Sequence, residues 1–461
     1  MAAADRGVQQ AAHLIIVVGA GPAGLSVANR MSKDGHQVVV INRDVKFGGL
    51  AEYGIFPSKH RLRLGLKKTY LEILARPTVH YYGNVRVGSG RDLTLADLQG
   101  LGASALVFTT GAQGTKTIGV DGDSALGVFH AKDVVYHYNK LPELVQRPFP
   151  IGQNVAIIGI GDVMVDLAHW LIATKKVQRV TAIVRRGPAE RKYNPKEIRA
   201  VCANIGRDEL AKEFARIHPI LKVAGQDPDK IHAEMTAEFT KCEPAASATK
   251  MGFRFLGSPR RVLTDAHHRV RALELEDTRL ERKGDDFAAV GQKTFTEFPC
   301  DTVIFAVGDR VDDQVGLPYK NGLFVTDPNR TGAEPDDAWF QVFDEGRGER
   351  LEGVFVAGWA RQASVGLVGV AKRDGEWCAE AVSNFLSGKP RLAPAVLDRR
   401  IAEIRTLILQ RQALAVDKDE VTRLAQIEDE QARQHGVEEF KYGTNEEMLN
   451  IVRRRLTGDR L

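Results

Sequence analysis

Short, unbroken apolar runs closed by glycine recur along this chain. Leu14–Val18 is wholly apolar and ends at Gly19, and Val155–Ile158 ends at Gly159. Ala105–Phe108 leads through Thr109 and Thr110 to Gly111, the run from Thr302 to Val307 ends at Gly308, and Val354–Ala357 ends at Gly358. Runs of this length and β-branched content, punctuated by glycine, read as strands buried on both faces. Helical patterns alternate with them. After Gly24, the residues Leu25, Val27, Ala28 and Met31 fall on one side of a helix that Gly35 stops. Gln37–Ile41 is the next strand. The stretch 76–87 reads as extended and 92–99 as helical. Leu141 to Gln153, with three prolines and a glycine, reads as a linker. Beyond it the order repeats: a strand from Asn154, a helix over 163–174 and a strand over Arg179–Val184. Residues 207–250 look helical and mixed in charge, 253–276 look like a meander, and 327–350 is a charged, Gly- and Pro-rich loop. Residues 397–433 form a charged amphipathic tail. The expected fold is α/β with two Rossmann-like units.

The two glycine turns carry the chemistry. The first is Gly19-Ala20-Gly21-Pro22-Ala23-Gly24. Its first glycine permits a tight turn, its second lets backbone approach a pyrophosphate, and its third lets helix and strand pack closely. The helix that follows offers free N–H groups and the positive end of its dipole. Where an acidic ribose ligand is expected, at the end of the second strand, stands Asn42, which can still hydrogen-bond a hydroxyl without charge. Gly48-Gly49-Leu50 follows; glycines there let the chain pass close to an isoalloxazine ring, and an ordinary loop explains them equally. The second turn is Gly159-Ile160-Gly161, with Asp162 and Val163 opening its helix and the bulky Met164 where a third small residue is usual. Arg185-Arg186-Gly187-Pro188 directly follows the next strand, where the adenosine ribose of a bound dinucleotide lies. Guanidinium groups there suit the 2′-phosphate that NADP has and NAD lacks, so NADP is expected and NAD remains possible. A chain that cradles two dinucleotides is most simply an electron-transfer enzyme.

Composition narrows the picture. At 461 residues the length allows about three domains, or two Rossmann units and a tail. The net charge of +5 is small, and no basic run is interleaved with aromatics, so nucleic-acid binding is not expected. No run approaches the ~18 apolar residues of a membrane helix, and residues 1–13 carry no apolar signal region. The expectation is a soluble, cytoplasmic protein with no membrane partner. The cysteines Cys202, Cys242, Cys300 and Cys378 are far apart, with no Cys-x-x-Cys pair. A redox dithiol and an iron–sulfur cluster both lack their usual motifs, no metal site is assigned, and the four are read as isolated thiols.

These segments together resemble the adrenodoxin reductase-like family of ferredoxin–NADP reductases, built on the glutathione-reductase plan and related to the small subunit of glutamate synthase. The resemblance runs nearly end to end. It is carried by Tyr82-Gly83-Asn84-Val85 and Thr110-Gly111-Ala112, then by Ile118-Gly119-Val120-Asp121-Gly122 and Gly127. Its most specific part is Arg185-Arg186-Gly187-Pro188 continuing through Tyr193, Lys196-Glu197 and Arg199. Gly358-Trp359, Gly366-Leu367-Val368-Gly369 with Lys372-Arg373-Asp374, and the closing Phe440-Lys441 and Glu447-Met448-Leu449 complete it.

The resemblance implies FAD held by the first unit, at Gly19 to Gly24, Asn42, Gly49, Leu50, Gly111 and Gly358, and NADP held by the second. Gly366 and the N–H groups of Leu367 and Val368 would face the flavin pyrimidine and the nicotinamide. Trp359 would pack beside the nicotinamide pocket, and Glu197 would contact the nicotinamide side of NADP. Trp359, Gly366 and Glu197 are the residues expected at the reaction centre. Bottom-up, Glu197 also reads as a solvated charge and Trp359 as plain core. Departures include Asn42, Asp162 where Asn is usual, and Gln362-Ala363-Ser364-Val365 in place of a more basic stretch. The segment 222–241, expected to be basic for docking an acidic ferredoxin, alternates Asp227, Asp229, Glu234 and Glu238 with its lysines; docking near Arg254, Arg260, Arg261, Arg269 and Arg271 is the alternative.

The expected organisation is an FAD domain over 1–115 and 340–461, the latter ending in the charged tail, with the NAD(P) domain, 116–339, inserted between. The expected activity is electron transfer between NADP(H) and ferredoxin or a similar one-electron iron–sulfur carrier. A second reading makes the chain the flavin subunit of a larger complex, such as a 2-oxoacid:ferredoxin oxidoreductase. The mixed docking segment and the charged tail favour that.

Overall fold

The computed structural model describes residues 10–116, 119–329, 336–363 and 367–454. The chain divides into two compact units: Met1–Lys116, Tyr138–Gln146 and Gly308–Leu461 form the first, Thr117–His137 and Arg147–Val307 the second. The second is inserted into the first. The return comes at Gly308, earlier than the boundary expected at 340, and pairing explains why. Asp309–Arg310 pairs with Gly114–Thr115, Ser89 N–H donates to the Gln314 carbonyl at 2.7 Å, and Val311, Val315 and Leu317 join the first unit's core.

The first unit is built on a seven-stranded sheet. Its order is Gln341–Asp344, Glu349–Val356, Ala105–Phe108, Leu14–Val18, Gln37–Ile41, Val79–Gly83 and Val416–Asp417. The five inner strands are parallel, with Ile16 opposite both Val39 and Leu106. Ile15 and Val17 enter one apolar cluster, while Leu14, Ile16 and Val18 enter another on the opposite face. Alternate side chains of one strand thus fill two cores, which is why the run carries no polar position. The first helix, Pro22–Lys33, packs one face; Gly375 lets the helix Val368–Leu386 close on it, because a Cβ there would run into the Ala23 carbonyl.

The tail is part of this unit and not a solvated appendage. Leu397, Ile404 and Ile408 of the helix Pro394–Arg411 are fully buried. Val416–Asp417 then pairs antiparallel with Val79–Gly83 and becomes the sheet's outer strand. Asp417 caps the next helix, Lys418–His435, in a reciprocal box with Glu420. Charged tail residues are buried too: Lys46 Nζ donates to Glu52 at 2.5 Å and to Glu428 at 2.7 Å, and Lys441 Nζ donates to the Glu52 carbonyl at 2.6 Å. The sequence showed only a charged amphipathic tail because pairing of this kind leaves no mark in a single helix's sequence.

In the second unit a five-stranded parallel sheet runs Val128–His130, Thr302–Phe305, Asn154–Ile158, Arg179–Val184 and Lys250–Phe255. An antiparallel sheet of Gly257–Thr264, Val270–Lys283 and Asp286–Pro299 covers one face, joining Val262, Val270, Leu273 and Leu275 to Ala156 and Ile158. The meander therefore starts later than expected. Lys250–Phe255 belongs to the parallel sheet, and the chain switches sheets at Leu256, whose φ is +54°. The third strand of the meander is mostly exposed, so it showed no apolar alternation. Cys202 and Cys242 form a disulfide, with Cα atoms 5.5 Å apart, in place of the isolated thiols expected. Only folding brings them together, since 40 positions separate them. Cys300 and Cys378 are buried free thiols.

Candidate functional site: two dinucleotide cradles

The first cradle lies at the C-terminal ends of Leu14–Val18 and Ala105–Phe108. Gly19 has φ +108°, and a Cβ there would stand 2.5 Å from the Thr109 carbonyl oxygen, so only glycine fits. A side chain at Gly24 would run into the Gly19 carbonyl and Thr109 Oγ1, so the third glycine does bring helix and strand together. Gly21 differs. No atom lies within 4 Å of where its Cβ would be, which is the open approach to backbone that a pyrophosphate needs. The helix N-terminus at Gly21 has no side-chain cap, leaving its first N–H groups to a ligand.

Other expected residues gather round this turn. A Cβ on Gly49 would lie 3.3 Å from Gly21 Cα, and one on Gly358 2.7 Å from Ala23 Cβ. Gly48 N–H donates to the Ala20 carbonyl at 2.7 Å. Leu50 opens the short helix Leu50–Tyr53 next to them. Thr110 Oγ1, beside Gly111, is buried and finds no partner among the described residues, an orphaned polar atom of the kind a bound group satisfies. Trp359 sits half-buried in the turn Gly358–Ala360. Leu367 is the exposed N-cap of the helix Val368–Leu386, and no side chain caps it. Gly366, Ser364, Val365 and Ile118 lie outside the described residues.

Asn42 has a structural job beside the one expected. It is 6% exposed. Its Oδ1 accepts from Ala20 N–H, and its Nδ2 donates to the carbonyls of Asp44 and Lys46, each at 2.9 Å. These hydrogen bonds shape the turn and leave Oδ1 one lone pair, so Asn42 scaffolds the cradle. The sequence reading also missed a buried pair. Arg361 and Asp374 form an ion pair, and Asp374 accepts from Gly358 N–H at 2.6 Å. Arg361 also lies 4.6 Å from the Phe340 ring centroid. This pair fixes the Gly358–Trp359 turn against the helix; thirteen positions apart, the two residues gave no local signal.

The second cradle is built alike within its own unit. Gly159, with φ +133°, has no room for a Cβ against the Ala306 carbonyl, whereas Gly161 has no atom within 4 Å. Met164 is fully buried, so the helix–sheet interface accommodates it. Val163 is exposed at the turn. Asp162 accepts from Asn194 N–H at 2.7 Å, Lys192 N–H donates to the Ile160 carbonyl at 3.0 Å, and Glu197 N–H to the Asn194 carbonyl at 2.9 Å. Asp162 thus ties the segment bearing Glu197 to the glycine turn. Tyr193 in that segment is buried; burial pushes its phenol up to about 12, and its oxygen has no partner among the described residues. Arg185 is exposed at the end of its strand, and Arg186 is largely covered and hydrogen-bonded to Asp286.

Several charges of the expected docking surfaces are paired. Glu234 pairs with Arg191, and Glu238 with Arg199 and Lys241. Four arginines of the alternative patch are paired as well: Arg254 with Asp277, Arg260 with Glu276, Arg261 with Glu274 and Arg271 with Glu297. Among the described residues no helix is long and apolar enough to cross a membrane, and no group of three or more His, Cys, Asp or Glu could hold a metal ion.

Two strand–glycine turn–helix units, one inserted in the other, define a protein of the two-dinucleotide, glutathione-reductase-type α/β class. Residues 13–212 match the family described as pyridine nucleotide-disulphide oxidoreductase. The chain is 28% identical over 396 residues to the mitochondrial NADPH:adrenodoxin oxidoreductase of Salvelinus fontinalis, covering 78% of this chain and 75% of that protein. It is 24% identical over 408 residues to the NADPH-ferredoxin reductase FprA of Mycobacterium leprae, covering 82% and 84%. Among solved structures, Mycobacterium tuberculosis FprA in complex with NADPH superposes with a TM-score of 0.79 at 21% identity, covering 96% of this chain and 99% of that one. The resemblance to adrenodoxin reductase-like proteins is therefore borne out in sequence and in fold.

Proposed function

We propose that this chain is an FAD-dependent oxidoreductase that moves electrons between NADP(H) and ferredoxin or a similar one-electron iron–sulfur carrier. The observation that carries this reading is the pair of cradles, each with an open glycine at the pyrophosphate position, in a chain whose relatives include an NADPH:adrenodoxin oxidoreductase and an NADPH-ferredoxin reductase. When bound, the flavin supplies a site at N5 that exchanges hydride with nicotinamide C4 and releases electrons singly.

The chain's own residues bind and orient. Gly19 to Gly24 and the helix N-terminus hold the FAD pyrophosphate, with Gly49, Leu50, Gly111 and Gly358 shaping the walls. Gly159, Gly161, Asp162 and Val163 form the turn for the NADP pyrophosphate, and Arg185 and Arg186 hold the 2′-phosphate. Glu197 would contact the nicotinamide side of NADP. Leu367 and Val368 open a helix whose N-terminus would face the flavin pyrimidine, where the dipole favours negative charge. No side-chain proton transfer is assigned; catalysis comes from positioning and electrostatics. The reading as a subunit of a larger complex leaned on the mixed docking segment and the charged tail; Leu397, Ile404 and Ile408 of that tail are buried in the first unit, which removes part of its support. Titrating the protein anaerobically with each nucleotide and then adding a ferredoxin tests the proposal. A colourless protein that takes up no FAD overturns it.

A further inference from the structure

The turn assigned to the 2′-phosphate is overlaid by a hairpin of its own unit. The hairpin joins Val270–Lys283 to Asp286–Pro299 through Gly284. Its first strand pins the turn's backbone: Thr278 Oγ1 donates to the Arg185 carbonyl at 2.6 Å, and Leu280 stands 3.4 Å from where a Gly187 Cβ would be. Its second strand reaches the guanidinium. Arg186 Nη1 donates to both carboxylate oxygens of Asp286 at 3.1 Å and to the Phe287 carbonyl at 3.3 Å. The exposures are unequal, 19% for the Arg186 side chain and 74% for that of Asp286. The arginine is fixed, and the carboxylate stands at the solvent mouth.

The geometry points to Asp286 as a specificity-determining residue, an acidic gate at the hairpin tip that competes with the 2′-phosphate of NADP(H) for Arg186. This rests on the reading of Arg186 given above. A 2′-phosphate that pairs with Arg186 brings its negative charge beside a carboxylate already on that guanidinium. The two anions repel, and the dinucleotide must displace Asp286 or share the cation with it. NAD(H), which has no 2′-phosphate, meets no such conflict. Asp286 therefore narrows the preference for NADP(H) that two adjacent arginines would otherwise give. The carboxylate is ionised at neutral pH: the Phe287 N–H, and then Arg186 nearby, hold it below the usual carboxylate range.

The test is calorimetric binding of 2′,5′-ADP and 5′-AMP to the full chain, which needs no flavin turnover. Asp286→Asn should tighten 2′,5′-ADP about three- to tenfold at low ionic strength and leave 5′-AMP within about twofold. Asp286→Lys should tighten it further, and both gains should shrink in high salt. In an Arg186→Ala background the Asp286→Asn gain should vanish. Unchanged or weaker 2′,5′-ADP binding by both Asp286 variants, while Arg186→Ala still weakens it selectively, overturns the gate and leaves the 2′-phosphate assignment standing. If Arg186→Ala weakens the two ligands equally, or neither, the assignment itself falls and the gate with it.

Discussion

Asn42 at the end of the second strand accepts the backbone N–H of Ala20, inside the first glycine turn, at 2.9 Å. One side chain thereby joins the strand end, the nucleotide turn and, through the Asp44 and Lys46 carbonyls, the loop leading to Gly48 and Gly49. Replacing it with alanine leaves a buried N–H unpaired. Asn42→Ala should lower stability by about 1–3 kcal/mol and loosen FAD. Asn42→Asp keeps the acceptor but sets a negative charge against two carbonyls, so it should not rescue. Urea denaturation together with the fraction of FAD retained on desalting checks both; full stability of the alanine variant would contradict the scaffolding role.

The buried cluster of Lys46, Glu52, Glu428 and Lys441 predicts a pH dependence. Burial alone would raise the Glu52 carboxyl, but Lys46 and Lys441 outweigh it and hold it well below its ordinary value of 4.5. A carboxyl lowered in the folded state contributes stability above its unfolded value, and that contribution drains away as pH falls toward the folded value. The denaturation midpoint should therefore fall as pH drops below about 4.5. Glu428→Ala strands Lys46 with one partner fewer and should cost about 3–5 kcal/mol at neutral pH. A midpoint that is flat from neutrality down to strongly acidic solution would contradict the ionised network.

The Cys202–Cys242 disulfide closes a loop across 40 positions of the second unit. Chain-entropy arguments give such a link about 4 kcal/mol. Thiol titration of the unfolded, unreduced protein should count two groups, Cys300 and Cys378, and reductant should lower the melting temperature. Four titrating thiols would show that the pair does not form in solution.

Arg186→Ala should weaken NADPH by roughly 1.5–3 kcal/mol, the scale of a lost charge-assisted hydrogen bond, and leave NADH little changed. Fluorescence titration of both nucleotides decides it. Equal losses would remove the 2′-phosphate assignment.

Much of the scaffold was legible in the sequence. Leu14–Val18 and Val155–Ile158 announce themselves because strands covered on both faces have no polar position, and Gly19 and Gly159 because no other residue tolerates their backbone and crowding. What was illegible depends on contacts across long separations. Arg186 and Asp286 lie 100 positions apart, and Lys46 and Glu428 lie 382 apart. Neither pair alters the local pattern, so Arg186 read as a phosphate ligand alone and the helix of Glu428 as part of a charged amphipathic tail. Asn42 reads as an uncharged ribose ligand from its type; only the folded turn shows that it also holds the turn together. The strand Asp286–Pro299 is mostly exposed and so lacked a period, although Gly284-Asp285 ahead of it is a turn signal.

The central claim is electron transfer between a nicotinamide and a flavin carried by one chain. Its most direct test is an anaerobic titration of the FAD-loaded protein with NADPH and, in parallel, NADH, followed by addition of oxidised ferredoxin. The account predicts that NADPH bleaches the flavin absorption at lower concentration than NADH, and that ferredoxin restores it. A flavin band untouched by either nucleotide would contradict the account.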